Sequence, residues 1–405
     1  MNRVVQYFFL ILLPFYPIWA WLFYSVTKKP VSIFVVAMLI PLAAFSLITQ
    51  KIKIPKYLIF LILFTIYHLA SVYINNLVPA GTNKMFFILS DANVYACLLF
   101  IVIESTSFDD IFVAKMNRLI LLLIIVTTIV SIIQIKYPYF FINPDITGTM
   151  DVDTYLEERS FSIFSWININ SLGISFPILI SILLSLPSTK KRTTPLLILS
   201  NIIVSFLTRA RYVMISAIIV MSQLFFNAKI ALRKRISALV LIVGILFVAI
   251  GIAYFSGFDV QKVINTRILE KDTGLGSARA RVLSYEVFLI KFPEYPLFGV
   301  GPSTRDDVVR LLNGVAPLIH IGYLSYLYYY GIFGFLLLLI SIFFLLKNAW
   351  AIGRKYVFWG SFYGLLSFCF ANVTFVYFDL SEIGIVMAVI YLKYYKEKSL
   401  TEISE

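Results

Sequence analysis

One length recurs along this chain, and it limits what the chain can fold into. Apolar runs of about twenty residues follow one another with short polar breaks, and about twenty apolar residues are what one helix needs to cross a bilayer core. On that ruler the sequence predicts twelve spanning helices, at about 5–26, 31–49, 56–75, 86–103, 118–135, 168–187, 194–208, 212–227, 236–256, 321–346, 356–377 and 382–395. With 60% hydrophobic and 14% charged residues, it cannot be an ordinary soluble domain, where about a quarter of residues are charged. The expected fold class is therefore all-α: a polytopic membrane protein of about twelve transmembrane helices, forming a single integral membrane domain over 1–405. The first run, in MNRVVQYFFLILLPFYPIWAWLFY, has the basic start of a signal peptide. It is too long and aromatic for one and has no small-x-small cleavage site, so it reads as a retained first helix.

A formal charge of +13 would suggest a nucleic-acid partner if the cations formed a patch. They are instead distributed as lysine and arginine are between cytoplasmic and external loops. With a cytoplasmic N-terminus, the inside segments are MNR, QKIKIPK, the stretch around Lys115 and Arg118, STKKRT, NAKIALRKR, KNAWAIGRK and the KYYKEK tail, holding 19 of the 34 Lys and Arg. The short outside loops hold seven and the long interval 257–320 holds eight. The long interval, between the ninth and tenth runs, is thus expected to be a large external loop, and no nucleic-acid partner is expected. Thr27-Lys28-Lys29-Pro30 falls outside against the trend, which leaves the orientation of the first two helices open.

The polar residues worth weighing lie mostly on that external side. The long loop carries Arg267, Arg279, Arg281, Arg305 and Arg310, a tight turn at 299–302 (GVGP), and His320 where the chain re-enters the membrane. Arg279 and Arg281 precede an amphipathic stretch expected to lie as a helix on the membrane, where basic residues either meet headgroups and water or face an anionic substrate. Arg209 and Arg211 occupy the short external turn of SFLTRARYVMIS. Arginine stays charged at membrane depth and binds phosphate through a planar fork, although it can also snorkel to headgroups. A second external loop, about 136–167, mixes aromatics with Asp145, Asp151, Asp153, Glu157 and Glu158. That mixture suits either an interfacial aromatic belt or a sugar site, and it leads to Asn168-Ile169-Asn170-Ser171-Leu172-Gly173 at the mouth of the sixth helix. His320 is either a helix-start residue or, with a reference pKa near 6.5, a base able to take a proton from a hydroxyl. His68, inside the third run without polar neighbours in sequence, reads as a packed or locally bonded core histidine. Cys97 and Cys369 both sit in apolar runs, which supports neither a disulfide nor a zinc site. No Walker A or HExxH motif occurs, and no metal site or cofactor is expected.

The ordered series Asn170-Ser171-Leu172-Gly173, Leu207-Thr208-Arg209-Ala210-Arg211, Arg279 to Arg281, Pro296-Leu297-Phe298-Gly299-Val300-Gly301, His320 with Tyr323-Leu324, and Gly331-Ile332-Phe333-Gly334 resembles the O-antigen polymerase and O-antigen ligase superfamily. The resemblance covers about 165–345. It implies a GT-C-like membrane fold and glycan transfer from an undecaprenyl-diphosphate-linked oligosaccharide, without metal or nucleotide sugar. It also implies an active site on the external, periplasmic side of the bacterial plasma (inner) membrane. Carried over by position, Arg211, Arg281 (or Arg279) and His320 are the expected catalytic residues, with Arg209, Arg279, Asn170 and Arg305 expected to bind substrate. Ligases commonly carry Asn or Ser after the histidine, and Ile321 stands there in this chain, a departure that weighs against the ligase assignment and the histidine's role in it; the reading taken first is a repeat-unit polymerase. Ligation to lipid A core and transport of the same lipid-linked sugar are the alternatives. The scarcity of ionisable residues in the apolar runs weighs against transport. Partners expected on the polymerase reading are the lipid-linked oligosaccharide, the bilayer, a flippase and a chain-length regulator.

Overall fold

The computed structural model describes residues 2–27, 31–49, 54–77, 87–88, 90–141, 160, 162–166, 169–186, 193–208, 210–226, 244, 251, 277–302, 306–312, 319, 321–373 and 378–404. Thirteen helices are followed below: α1 Asn2–Thr27, α2 Val31–Thr49, α3 Lys56–Ile74, α4 Ala92–Ser105, α5 Asp110–Lys136, α6 Ile169–Ser185, α7 Thr193–Leu207, α8 Arg211–Phe226, α9 Ser277–Lys291, α10 Asp306–Leu311, α11 Gly322–Tyr356, α12 Gly360–Ala371 and α13 Ile383–Ser404. Short 3-10 turns cover Ser162–Trp166 and Phe292–Glu294, and no strand occurs among the described residues. Five of these helices, starting at Asn2, Val31, Lys56, Asp110 and Gly322, are long and apolar enough to cross a membrane, and several shorter apolar helices pack among them. The ninth predicted run, 236–256, lies outside the described residues apart from Gly244 and Gly251.

Capping and close approach explain where these helices start and how they pack. Asp91 starts α4 by accepting from the backbone N–H of Asn93 and Val94, so α4 begins at Ala92 and the predicted run is broken at Asp91, with Phe87, Ile88 and Ser90 helical before it. Asp109 starts α5 in the same way through Phe112. In a bilayer, helices associate through packing and small residues rather than through the hydrophobic effect. Accordingly, α12 meets α6 at Gly360, where a side chain would come within 2.6 Å of the Ile182 Cα, and Ser181 Oγ donates to Gly360 O at 2.8 Å. Helix α6 forms a central post flanked by α8, α12 and α13, while α3 lies along α11.

The bundle has two distinct ends. At one, Gln6 donates to Ser107 O, Ser107 to Glu397, and Tyr356 rests on Tyr395. This end gathers Arg3, Lys56, Lys115, Arg354, Lys355, Lys393 and Lys396 and is called the lysine end below. The other, the loop end, receives the end of α3, the starts of α4, α8 and α11, and helix α9 of the long interval.

Candidate active site

The loop end is organised around a break in α11. Gly331 leaves the helix with φ 62° and ψ −174°, a conformation that favours glycine. In an unbroken helix, Ile332 and Phe333 would donate to the carbonyls of Tyr328 and Tyr329. Here Ile332 and Phe333 donate instead to Pro296 O and Leu297 O at 2.8 and 3.1 Å, while Tyr328 O and Tyr329 O accept from Val300 and Gly301 at 3.3 and 2.8 Å. The segment 296–301 is thereby sewn into the helix, so polar backbone that a low-dielectric setting would penalise is paired. Gly299, with φ 69°, and Gly331 face each other: a Cβ on either would sit 2.3 Å from a backbone oxygen of the other strand of the joint. The sequence segments PLFGVG and GIFG are thus two halves of one structure. The tight turn expected at 299–302 falls instead at 296–298, the chain only bending at Val300 and Pro302, and Gly299 serves the close approach to α11.

A chain of polar side chains holds the joint from beneath. Tyr67 Oη lies 2.6 Å from Phe298 O and 2.9 Å from Tyr330 O and shares its one proton between them, reaching them past Gly334, where any side chain would strike its ring. His68 Nε2 lies 2.6 Å from Asp91 Oδ2, and Nδ1 lies 2.8 Å from the Tyr330 hydroxyl. An ionised carboxylate only accepts, so Nε2 carries a proton and, in the neutral ring, Nδ1 accepts from Tyr330. Burial pushes the Asp91 carboxyl up. The His68 hydrogen bond and charge, with the two capping N–H groups, outweigh burial and hold it below the usual carboxylate range. His68 is therefore a bonded core histidine whose partners come from α4 and α11, not from its own neighbourhood in sequence.

Across the same end, Tyr323 donates to Cys369 O at 2.7 Å and Phe378 packs between Tyr323 and Tyr326. Beside it lies Asp379, outside the helices. Burial raises its pKa; hydrogen bonds from the Ser381 side chain and N–H pull the other way, and the Asp91 charge adds to the rise. Three residues on, Glu382 is buried and accepts from Ser175 of α6 at 3.2 Å. Asp91, Asp379 and Glu382 thus gather at the loop end, whereas Glu104 and its lysines lie at the other end. Asp379 and Glu382 were not singled out from sequence. Their signal was two carboxylates in FDLSE, between two apolar runs.

The expected site residues divide into two walls. Arg211, half-buried, is the first residue of α8. Its neighbour Tyr212 packs over Gly173, where a Cβ would fall 2.5 Å from the ring. The turn bearing Arg211 and the first turn of α6, which contains Asn170, are therefore side by side. Beneath them Ser160 donates to Leu207 O at 3.0 Å, and Gln134 bonds Ser160, Ser162 and Phe140, which fixes both ends of the 136–167 loop to α5. The other wall is α9, with Arg279 in its first turn and Arg281 half-buried. It packs on α11 through an inner face that includes Val287 and Phe288 and leaves Val282, Tyr285 and Leu289 exposed, the two-faced character expected of this stretch. Helix α8 is tied to α12 through Ser216 and Ser367 O, and α12 to α11 through Tyr323, so the walls are joined through α11 and α12. Arg209, Arg305 and His320 lie outside the described residues, as does most of the aromatic loop. On either side of His320, Ile319 is buried and Ile321 caps α11.

Residues 195–339 match the O-antigen ligase family. The matched stretch takes in α7, Arg211 and its helix, α9 with Arg279 and Arg281, the 296–301 segment and the broken start of α11. The match falls within the 165–345 stretch on which the motifs carry the same resemblance. No curated protein matches the chain.

Proposed function

We propose that this protein is a polysaccharide repeat-unit polymerase. It would transfer a glycan from undecaprenyl diphosphate to a sugar hydroxyl of a second lipid-linked repeat, at the external face of the bacterial inner membrane. The observation that carries the reading is the ligase-family match over 195–339, because that stretch contains the two arginine-bearing turns and the joint that holds the long loop to the bundle. The acceptor oxygen attacks the anomeric carbon opposite the diphosphate, its proton passes to His320, and the carbon–oxygen bond to the diphosphate breaks with inversion. Arg211 and Arg281 bind the leaving diphosphate more tightly as its charge develops, and that differential binding lowers the barrier. Arg209, Arg279, Arg305 and Asn170 extend the binding surface, and the proposal requires no metal.

The description of the matched family as a ligase favours a second reading, in which lipid A core is the acceptor. One assay separates the two. The purified full-length protein, in excess chelator, is given a lipid-linked repeat with and without lipid A core. Ladders formed from the repeat alone support polymerisation, whereas product only with lipid A core assigns ligation. Activity that needs added magnesium or manganese overturns the arginine mechanism. His320→Ala is expected to slow transfer by about 10²- to 10⁴-fold with donor binding retained and partial recovery at higher pH. Full activity in that variant removes His320 as the base.

A further inference from the structure

At the lysine end, α1 and α5 enclose a cleft of about 290 Å³ lined by Arg3, Gln6, Tyr7, Leu10, Asp109, Ile111, Phe112 and Lys115. It lies far from the loop-end residues, and the proposed reaction does not use it. Its polar groups are unequally committed. Gln6 is bonded to Ser107 O at 2.7 Å, and Asp109 accepts from the Phe112 N–H at 2.7 Å as the cap of α5. Lys115 Nζ stands 5.4 Å from the centre of the Tyr7 ring. Among the described residues, neither Arg3 nor Lys115 has a carboxylate within ion-pair distance. Two cations against one carboxylate leave one net positive charge in the cleft, which suits a phosphodiester monoanion better than a dianionic free phosphate. The rim is apolar and open, with Val4, Tyr7 and Ile111 at 68%, 55% and 67% exposure on helices long and apolar enough to span a membrane. A headgroup seated in the cleft would lay its acyl chains along these side chains. We infer that this cleft is a binding site for the headgroup of an anionic glycerophospholipid, with Arg3 and Lys115 gripping the phosphodiester. Basic pockets between helices on a cytoplasmic face are suited to such headgroups.

The test is lipid binding to the purified full-length protein in mild detergent, read by native mass spectrometry, so it does not depend on enzymatic activity. Phosphatidylglycerol should bind with one preferred copy, ahead of phosphatidylcholine and phosphatidylethanolamine. The double variant Arg3→Gln/Lys115→Gln should bind it about thirtyfold more weakly, from about fivefold for each cation beside an anionic lipid. The double variant Arg354→Gln/Lys355→Gln, which removes the same charge from exposed positions at the same end, should bind as the parent does. Equal weakening in both double variants would reduce the effect to general surface charge and overturn the site. Equal affinity for all three lipids would overturn it too. Displacement of the lipid by millimolar inorganic phosphate would assign the cleft to a soluble anion rather than a headgroup.

Discussion

Both ends of the bundle set a carboxylate among aromatic rings, Glu104 buried at one and Asp379 half-buried at the other, and they treat it differently. At the lysine end, Glu104 accepts from Tyr57 at 2.7 Å and has Lys393 and Lys396 at 3.9 and 4.0 Å. Lys393 is shared with Glu397 at 3.3 Å, so the charges there are nearly balanced. At the loop end, among the described residues, Asp379 accepts hydrogen bonds from Ser381 alone and has a second carboxylate, Asp91, in its field. Burying a charge without an opposite partner is costly, and pairing offsets that cost. The balanced network therefore works as a fastening between helices. The unbalanced one marks a place where protonation can change, as functional sites commonly are. The proposed reaction needs such a place, and it needs cations facing it from separate walls.

The largest effect should come from removing those cations. If Arg211 and Arg281 each stabilise the leaving diphosphate, each alanine substitution should cost about 10²- to 10³-fold in transfer rate, with the protein still inserted and folded. Lys393→Ala/Lys396→Ala at the other end should leave the rate per folded molecule unchanged, even where it lowers yield. Equal rate losses at both ends would break the comparison.

Different parts of this contrast were legible in the sequence to different degrees. Hydrophobic run length is local information, and it located α1, α2, α3, α6, α7 and α8 to within a few residues. Boundaries slipped where a single interaction decides them: α4 begins at Ala92 because Asp91 caps it, and α11 runs on to Tyr356 past its apolar stretch. Arg211 stood out because it falls in a short turn expected to be external, where arginine runs against the usual trend, and Arg281 stood out by its place in the ordered motif series. The joint between 296–301 and Gly331 was not legible, since two short glycine motifs do not announce that they pair. Nor was the His68–Asp91–Tyr330 chain, whose members are brought together only by helix packing.

That chain gives the next effect. His68→Ala strands Asp91 and the Tyr330 hydroxyl in a buried setting, and each unsatisfied group costs about 1–3 kcal/mol. Segment 296–301 should then become more susceptible to limited proteolysis while polymer formation falls about tenfold, the equivalent of roughly 1.4 kcal/mol. His68→Gln, which can bond both partners, should recover part of each. Loss of activity with no change in proteolysis would mean that His68 acts on the reaction directly and not through the joint. Glu104→Gln belongs to the fastening. It should lower thermal stability by about 1–3 kcal/mol and leave the rate per folded molecule unchanged; a slowed reaction would show that the lysine end is not merely structural.

The smallest effect has the most informative sign. Asp379 has its carboxyl pushed above the ordinary value of 3.8, chiefly by burial, so the folded protein holds the proton more tightly than the unfolded chain does. Stability tied to this group is therefore greatest below the unfolded value, falls as pH rises through the folded pKa, and stays reduced above it. Asp91 runs the other way: its carboxyl is depressed by His68 and the capping amides against the pull of burial, so its contribution is present above the unfolded value and is lost as pH falls through the folded pKa. Asp379→Asn, which keeps the shape and removes the charge, should raise the melting temperature by a few degrees at neutral pH and leave it nearly unchanged near pH 4. Asp91→Asn should lower it at neutral pH. Intrinsic fluorescence of the purified protein during heating at both pH values measures all four quantities. A lower melting temperature for Asp379→Asn at neutral pH would mean that the carboxylate is held by a favourable partner, and the loop end would then be a balanced fastening like the lysine end.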